Sequence, residues 1–320
     1  MRIGVLGAGV QGKLHAQTLA GLAEVELAGV ADLLPDNRRW AHETLGVPVY
    51  DTLDELLPHV DALSICLPDH LHEQPTIAAL DAGAHVLLEK PMALSTDACD
   101  RIAARVTDRT TLMIGHVLRF DPRVIRAKEL IDAGAIGDVW DLQVWRCTSQ
   151  AVGEGIWDRT GVHWFLGIHD VDLVRFLTGQ ELEVLSAVAA SRFSQQADVV
   201  HSTLRLSGGG LVTMNESWLL PHSRPSRADA GVKIVGERGL IEIDLSHSDL
   251  LLASRDGEVS FRDTRFWPSP SGAGAFNLRT ELQEFIRSVR DGMPSPVTAA
   301  DGRAAVATIE QIDARLTRAD

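Results

Sequence analysis

Six residues near the start of the chain, Gly7-Ala8-Gly9-Val10-Gln11-Gly12, limit what it can fold into more than any other segment. They separate an apolar run at 2–7 from an apolar-periodic stretch at 10–22, and an acid, Asp32, closes the next apolar run, twenty residues past Gly12. Glycine-rich turns are common. A strand before, a helix after and an acid at the end of the following strand are the context of a dinucleotide-binding turn. Each residue type has a physical reason there. Gly7 permits the tight turn, Gly9 lets the backbone approach a pyrophosphate, and Gly12 lets helix and strand pack closely. The helix start offers N–H groups and the positive end of its dipole to phosphates. Asp32 accepts hydrogen bonds from an adenosine ribose diol and repels a 2′-phosphate. Leu33-Leu34-Pro35 follow it without an arginine, and Arg38 and Arg39 fall a helical turn further on, covering the helix surface. NAD is therefore expected in preference to NADP.

The alternation continues after Asp32. Helix is expected over 36–45, 52–57, 71–82 and 95–106, and short apolar strands over 48–51, 62–67, 85–89 and from 112. Short apolar strands separated by helices imply βαβ units and a parallel sheet covered on both faces. With 320 residues the chain is long enough for two domains. The first is expected over 1–120 as a doubly wound parallel sheet. The second, over 121–320, reads differently: a helix at 121–133, opened by Asp121 and closed by Gly134, then long alternating runs at 138–148, 182–193, 199–207 and 210–220. Shorter runs follow at 232–236, 239–245, 249–254 and 257–262, with turns at Gly208-Gly209-Gly210 and Asp256-Gly257, a loop from Pro268 to Gly274, and helices at 277–291 and 299–317. In the 199–207 run, His201, Thr203 and Arg205 point one way and Val200, Ser202, Leu204 and Leu206 the other. That alternation fits a sheet with one face on helices. The other face is left open, and a homodimer or homotetramer formed through it is expected.

Composition excludes several functions. A net charge of −14 offers no basic footprint for nucleic acid. No apolar stretch is long enough to span a membrane. Met1-Arg2 runs directly into the first strand, so a cytoplasmic protein is expected. The three cysteines, Cys66, Cys99 and Cys147, lie far apart with no CxxC, and the histidines show no metal-ligand spacing, so neither disulfides nor a metal site is expected. Only four lysines (Lys13, Lys90, Lys128, Lys233) and one tyrosine, Tyr50, are present, which shortens the list of proton donors.

Several further segments, taken with the opening turn, carry a family resemblance. They are Cys66-Leu67-Pro68-Asp69-His70-Leu71-His72, Glu89-Lys90-Pro91, Gly115-His116 with Arg119-Phe120, Gly167-Ile168-His169-Asp170-Val171-Asp172, and Val297 to Gly302 before the last helix. In order and spacing the chain resembles the glucose–fructose oxidoreductase / inositol dehydrogenase (Gfo/Idh/MocA) family. The resemblance implies an N-terminal Rossmann domain and a C-terminal α+β domain built on a large, mostly antiparallel open sheet, with NAD(P) along the first and a sugar or polyol between the two. It also implies reversible oxidation of a ring hydroxyl to a ketone. Relatives include NAD-dependent glycosidases, with transient hydride transfer, and non-catalytic dinucleotide-binding regulators.

By that resemblance Lys90 and His169 are the catalytic pair. An ammonium at a strand end can hydrogen-bond the reacting oxygen, and a histidine titrating near neutrality suits removal of a hydroxyl proton. Asp172, three residues on along the helix, is expected to orient the imidazole. The expected cofactor-binding positions are Gly7, Gly9, Val10, Gln11, Gly12, Asp32, Leu67, Pro68, His70, His72, Glu89 and Lys90, with His15 beside them. Lys90, Arg119, Trp157, Phe165 and His169 are the expected substrate-binding positions, and Met92 and Arg159 are further candidates for the cleft. Phe165 is a departure: the family carries an aspartate four residues before the histidine.

Overall fold

The structure, a computed structural model, describes residues 1–223, 228–246, 251–253, 259–261 and 276–319. Contacts divide the chain into two compact units. One comprises Met1–Val117 with 276–306, the other Leu118 onward together with 307–319. The sequence-based boundary at 120 thus falls within a few residues of the first division. The last helices do not all belong to the second domain as expected, because 276–306 packs with the first unit.

The first unit is built on six parallel strands: β1 (Arg2–Leu6), β2 (Glu26–Ala31), β3 (Val49–Tyr50), β4 (Ala62–Ile65), β5 (His85–Glu89) and β6 (Leu112–Gly115). Their order is β3-β2-β1-β4-β5-β6. Successive strands of β1, β4, β5 and β6 are buried at nearly every residue, as expected for a sheet with helices on both faces. The helices are α1 (Val10–Ala20), α2 (Pro35–Leu45), α3 (Leu53–Leu56), α4 (Glu73–Asp81) and α5 (Thr96–Ala103). Local chemistry sets their ends. Pro35 starts α2, the Thr52 hydroxyl accepts the Glu55 N–H at the start of α3, and Ser95 does the same for Ala98 at α5.

The second unit opens with α6 (Pro122–Asp132), capped by the Asp121 carboxylate, which accepts the Arg123 N–H. Its sheet comprises β7 (Val139–Ser149), β8 (Leu182–Ala190), β9 (Val199–Leu206), β10 (Leu211–Leu220), β11 (Ala228–Gly236) and β12 (Gly239–Asp244). Between β7 and β8 lie the short α7 (Gln150–Glu154), a π-helical turn (His163–Gly167) and α8 (Ile168–Thr178). β13 (Leu251–Ala253) pairs antiparallel with β14 (Val259–Phe261), a separate ribbon that matches the runs expected there. The Asp256-Gly257 turn and the Pro268–Gly274 loop lie outside the described residues. Helix α9 (Phe276–Asp291) and helix α10 (Ala299–Arg315) follow, then β15 (Leu316–Arg318).

The large sheet has the order β12-β11-β7-β10-β9-β8-β15. It is mixed: β10–β7 and β15–β8 are parallel, and the other four pairings are antiparallel. Along β9, Val200, Ser202, Leu204 and Leu206 are buried while His201 and Arg205 are exposed, as the alternation requires. On the same open face Val188 is 46% and Leu211 47% exposed.

Two of the ends that differ from the sequence expectation have a visible reason. The last helix stops at Arg315, because Leu316–Arg318 adds a strand to the otherwise unpaired edge of β8. β8 stops at Ala190 rather than 193. The next residues fold over the Asp198 carboxylate, which accepts the N–H groups of Arg192, Phe193 and Ser194 at 2.5, 2.6 and 3.2 Å. Among the described residues no helix is long and apolar enough to cross a membrane.

Candidate active site

In the first unit the parallel strands bring their C-terminal ends to one edge. The strand order reverses direction between β1 and β4, and open α/β sheets bind ligands at such a switch point. The Gly7–Gly12 turn stands there. Gly7 has φ +89°, a conformation that side chains rarely adopt. A Cβ on Gly12 would lie 1.7 Å from the Gly7 carbonyl oxygen, so helix and turn meet with no room for a methyl. At Gly9 a Cβ would meet nothing within 4 Å. The turn is therefore closed below, at Gly12, and open above, at Gly9, with Val10 67% exposed at the helix start. Such a cradle fits a pyrophosphate.

Asp32 ends the second strand with both oxygens oriented. Oδ2 accepts the Ala8 N–H at 2.6 Å and the Asn37 amide at 3.1 Å, and Oδ1 accepts the Leu34 N–H at 2.8 Å. Arg38 is committed elsewhere. It donates to the carbonyls of Asp32 and Leu33 and pairs with Asp51 at 2.9 Å, and Arg39 pairs with Asp36. Arg38 and Arg39 are thereby both engaged with protein groups, and the residues fit NAD.

Leu67, Pro68 and His70 follow β4. Leu67 is half-buried, and Pro68 and His70 are exposed. Lys90, half-buried, follows β5, with a cis peptide bond to Pro91. Three neighbours expected beside the cofactor are instead turned under the surface. His72 is 1% exposed, and its ring bridges the carbonyls of Pro91 (2.7 Å) and Leu67 (2.9 Å). Burial lowers its pKa, so near neutral pH it donates to one carbonyl at a time. His15 is also 1% exposed; its Nδ1 meets the Ser64 hydroxyl at 2.7 Å and its Nε2 meets Glu89 at 3.1 Å. Glu89 faces inward to His15. These three support the cofactor-side loops from beneath rather than lining them. Met92, expected near the cleft, is fully buried core.

In the second unit, the π-helical turn runs directly into α8, and π-turns often accompany functional sites. His169 is the second residue of α8 and half-buried. Phe165 is half-buried on the π-turn, its N–H donating to the Gly161 carbonyl at 3.2 Å. Trp157 is half-buried with its ring stacked on Phe193, centroids 6.2 Å apart, and Phe193 is 53% exposed. Arg159 is exposed. His163 and the Trp164 indole both bind the Asp313 carboxylate, at 2.6 and 2.7 Å, anchoring α10.

Two of the expected residues are joined to each other here. Asp172, expected to orient His169, has its carboxylate held by Arg119: Nε at 2.9 and 3.1 Å and Nη2 at 2.6 Å. Arg119, expected to bind substrate, is 8% exposed, with its guanidinium 5.1 Å from the Phe176 ring. The pair is a buried brace between the segment before α6 and helix α8. Beneath His169 lies a second brace that the sequence reading missed. Asp170 is fully buried and accepts from Arg146 Nε at 3.0 Å and Nη2 at 2.6 Å. Glu216, also fully buried, faces Gly167. Burial, then the nearby Asp170 charge, hold Glu216 well above the usual carboxylate range despite Arg146. The signal for both was in the alternation: Arg146 shares the phase of Leu142 and Val144, and Glu216 that of Val212 and Met214.

Residues 1–116 match the oxidoreductase family with an NAD-binding Rossmann fold, Gfo/Idh/MocA, and 124–242 match a C-terminal domain of the same family. Among curated relatives, myo-inositol 2-dehydrogenase of Thermotoga maritima is 28% identical over 96% of this chain and 93% of its own. UDP-N-acetylglucosamine 3-dehydrogenase of Acidithiobacillus ferrooxidans is 27% identical over 98% of this chain and 96% of its own. Scyllo-inositol dehydrogenase from Lactobacillus casei, solved with NAD(H) and scyllo-inositol, shares the fold. Its TM-score is 0.87 at 23% identity, over 99% of this chain and 96% of that one.

Proposed function

Since the chain belongs to the Gfo/Idh/MocA family of NAD-binding oxidoreductases, we propose that it interconverts a ring hydroxyl and a ketone on an inositol, sugar or related polyol. One observation carries the reading. The Gly7–Gly12 cradle, Asp32 and Lys90 stand at the C-terminal ends of β1, β2 and β5, one edge of one parallel sheet.

NAD, when bound, supplies the hydride acceptor. The chain supplies the proton chemistry. Lys90 donates a hydrogen bond to the substrate oxygen and so favours its deprotonated form. His169 takes the hydroxyl proton at an imidazole nitrogen during oxidation and returns it during reduction. Arg119–Asp172 and Arg146–Asp170 hold α8, so the imidazole is presented from a fixed helix. Phe165 offers an apolar surface where the family carries an aspartate, so proton transfer rests on Lys90 and His169 alone.

The test is a screen of inositols, free sugars and nucleotide sugars for NADH formation, followed by Lys90→Ala and His169→Ala on the substrate found. Each should lose turnover by about 10²–10⁴-fold while NAD affinity stays within a few-fold. Full turnover by either variant would remove that residue from the mechanism. Net NADH formation from a free sugar distinguishes this activity from transient hydride transfer in a glycosidase.

A further inference from the structure

The underside of the Lys90 turn holds a buried polar cluster. Glu89 Oε1 meets His15 Nε2 at 3.1 Å, and Oε2 accepts the Lys90 backbone N–H at 3.1 Å. Gly115, beside it on β6, leaves room for this carboxylate: a Cβ there would come within 3.3 Å of Glu89 Cα and 3.5 Å of its Cδ. His15 is held from its other side by Ser64 at 2.7 Å, and the Ser64 hydroxyl lies 3.5 Å from Cys66 Sγ. From α9, which packs on α1, comes Glu281. It is fully buried, and neither of its carboxyl oxygens meets a hydrogen-bond partner among the described residues.

We propose that Glu89 is a positioning residue for Lys90. Bonded to His15 on one side and to the Lys90 amide on the other, it fixes the turn and sets a buried carboxylate beneath the ammonium, with Glu281 beside it. The proposal rests on the reading of Lys90 as the group at the reacting oxygen.

Counting charges supports it. Burial opposes a charge on His15, but contact with Cys66 and then Glu89 outweighs it and holds the imidazole well above its ordinary value. As a cation the ring donates through both nitrogens, to Glu89 and to the Ser64 oxygen, and the Ser64 O–H is left to face sulfur. Glu89 is likewise buried, yet His15 and then Lys90 hold it below the usual carboxylate range. Burial and the Glu89 charge push Glu281 well above that range, against the opposing effect of His15. Near neutral pH His15 and Glu89 then pair as cation and anion, with Glu281 beside them a neutral acid. An ionised Glu281 would add an unpaired buried charge, which is costly. Among the described residues, groups facing Glu89 include His15 from α1, His72 at the start of α4, Lys90 in its own turn and Glu281 from α9. Of these Glu281 is the one other acid.

The experiment measures Lys90 itself and needs no substrate. The full-length chain is labelled with an amine-selective acylating reagent across pH, and modification at Lys90 is read by mass spectrometry in the wild type, Glu89→Gln and Glu281→Gln. Removing an adjacent negative charge makes the ammonium easier to deprotonate. The Lys90 midpoint in Glu89→Gln should therefore fall by about one pH unit or more. In Glu281→Gln, which exchanges one neutral group for another, it should stay in place. An unmoved midpoint in Glu89→Gln overturns the proposal, and a fall in Glu281→Gln overturns the uncharged state of Glu281. Should Glu89→Gln fail to fold, nitrogen NMR of wild-type His15 decides: a ring protonated at both nitrogens at neutral pH is expected, and a neutral ring overturns the pair. Full turnover by Lys90→Ala would instead remove the catalytic reading and leave the labelling result standing.

Discussion

Gly9 and Gly12 stand three residues apart in one turn, and the structure gives them opposite roles. Gly12→Ala would place a methyl carbon 1.7 Å from the Gly7 carbonyl oxygen and 2.7 Å from its carbon. Both are backbone atoms, so no side chain can rotate away, and an ordinary contact requires the start of α1 to retreat by more than an ångström. That movement strains the Lys13 N–H bond to Gly9 (3.0 Å) and the Ala8 N–H bond to Asp32 (2.6 Å). Overpacking typically costs ~1–3 kcal/mol, and a clash against backbone belongs at the upper end, about 3 kcal/mol. Gly9 has φ −68° and open space at its Cβ, so Gly9→Ala should change stability by less than about 1 kcal/mol. Its methyl occupies the space through which a pyrophosphate approaches, so NAD affinity should fall at least tenfold. Urea unfolding and NAD calorimetry on both variants provide the assay. A Gly12→Ala protein as stable as the wild type, or a Gly9→Ala protein that binds NAD normally, would refute the assignment of one glycine to packing and the other to the ligand.

NAD should bind more tightly than NADP by about 1–3 kcal/mol, because Asp32 opposes a 2′-phosphate and loses a ribose bond; tighter NADP binding by calorimetry sinks this. Asp172→Ala strands the Arg119 guanidinium in a buried site and should destabilise the second unit by about 3–5 kcal/mol, read as a lower urea midpoint; an unchanged midpoint would show that the brace is dispensable. Asp198 is buried, but the N–H groups of Phe193 and Arg192, the Trp218 indole and the Ser194 hydroxyl bring its pKa to about 2. A depressed carboxylate stabilises the fold above its unfolded pKa and loses that contribution as pH falls through the folded value. Wild-type stability should therefore drop by about 2 kcal/mol more than that of Asp198→Asn between pH 5 and pH 2, and parallel acid profiles would contradict the sign. The open face of the large sheet, with Val188 and Leu211 beside His201 and Arg205, should bury itself in a homo-oligomer; light scattering that finds a monomer at micromolar concentration rejects this.

The chain order of residues was enough to read the parallel sheet, the cradle at Gly7–Gly12 and the positions of Lys90 and His169. Those features are local: a glycine spacing, a strand end, a helix start and a periodicity of apolar residues each act within a few residues of one another. The alternation in β9 told its two faces apart for the same reason. Partnership was not legible. Asp172 was assigned to His169 because both lie on one helix, three residues apart; its bond to Arg119, fifty-three residues away, left no local trace. Glu89 sat beside Lys90 in sequence and was placed with the cofactor, until His15 drew its side chain inward. Arg146 and Glu216 occupied core positions of their strands, and only the fold supplied Asp170 as the reason that an arginine is tolerated there. A buried charge is stable only beside its counter-charge, and its counter-charge can come from any part of the chain. Periodicity shows that such a residue faces inward; the tertiary structure alone decides what it meets.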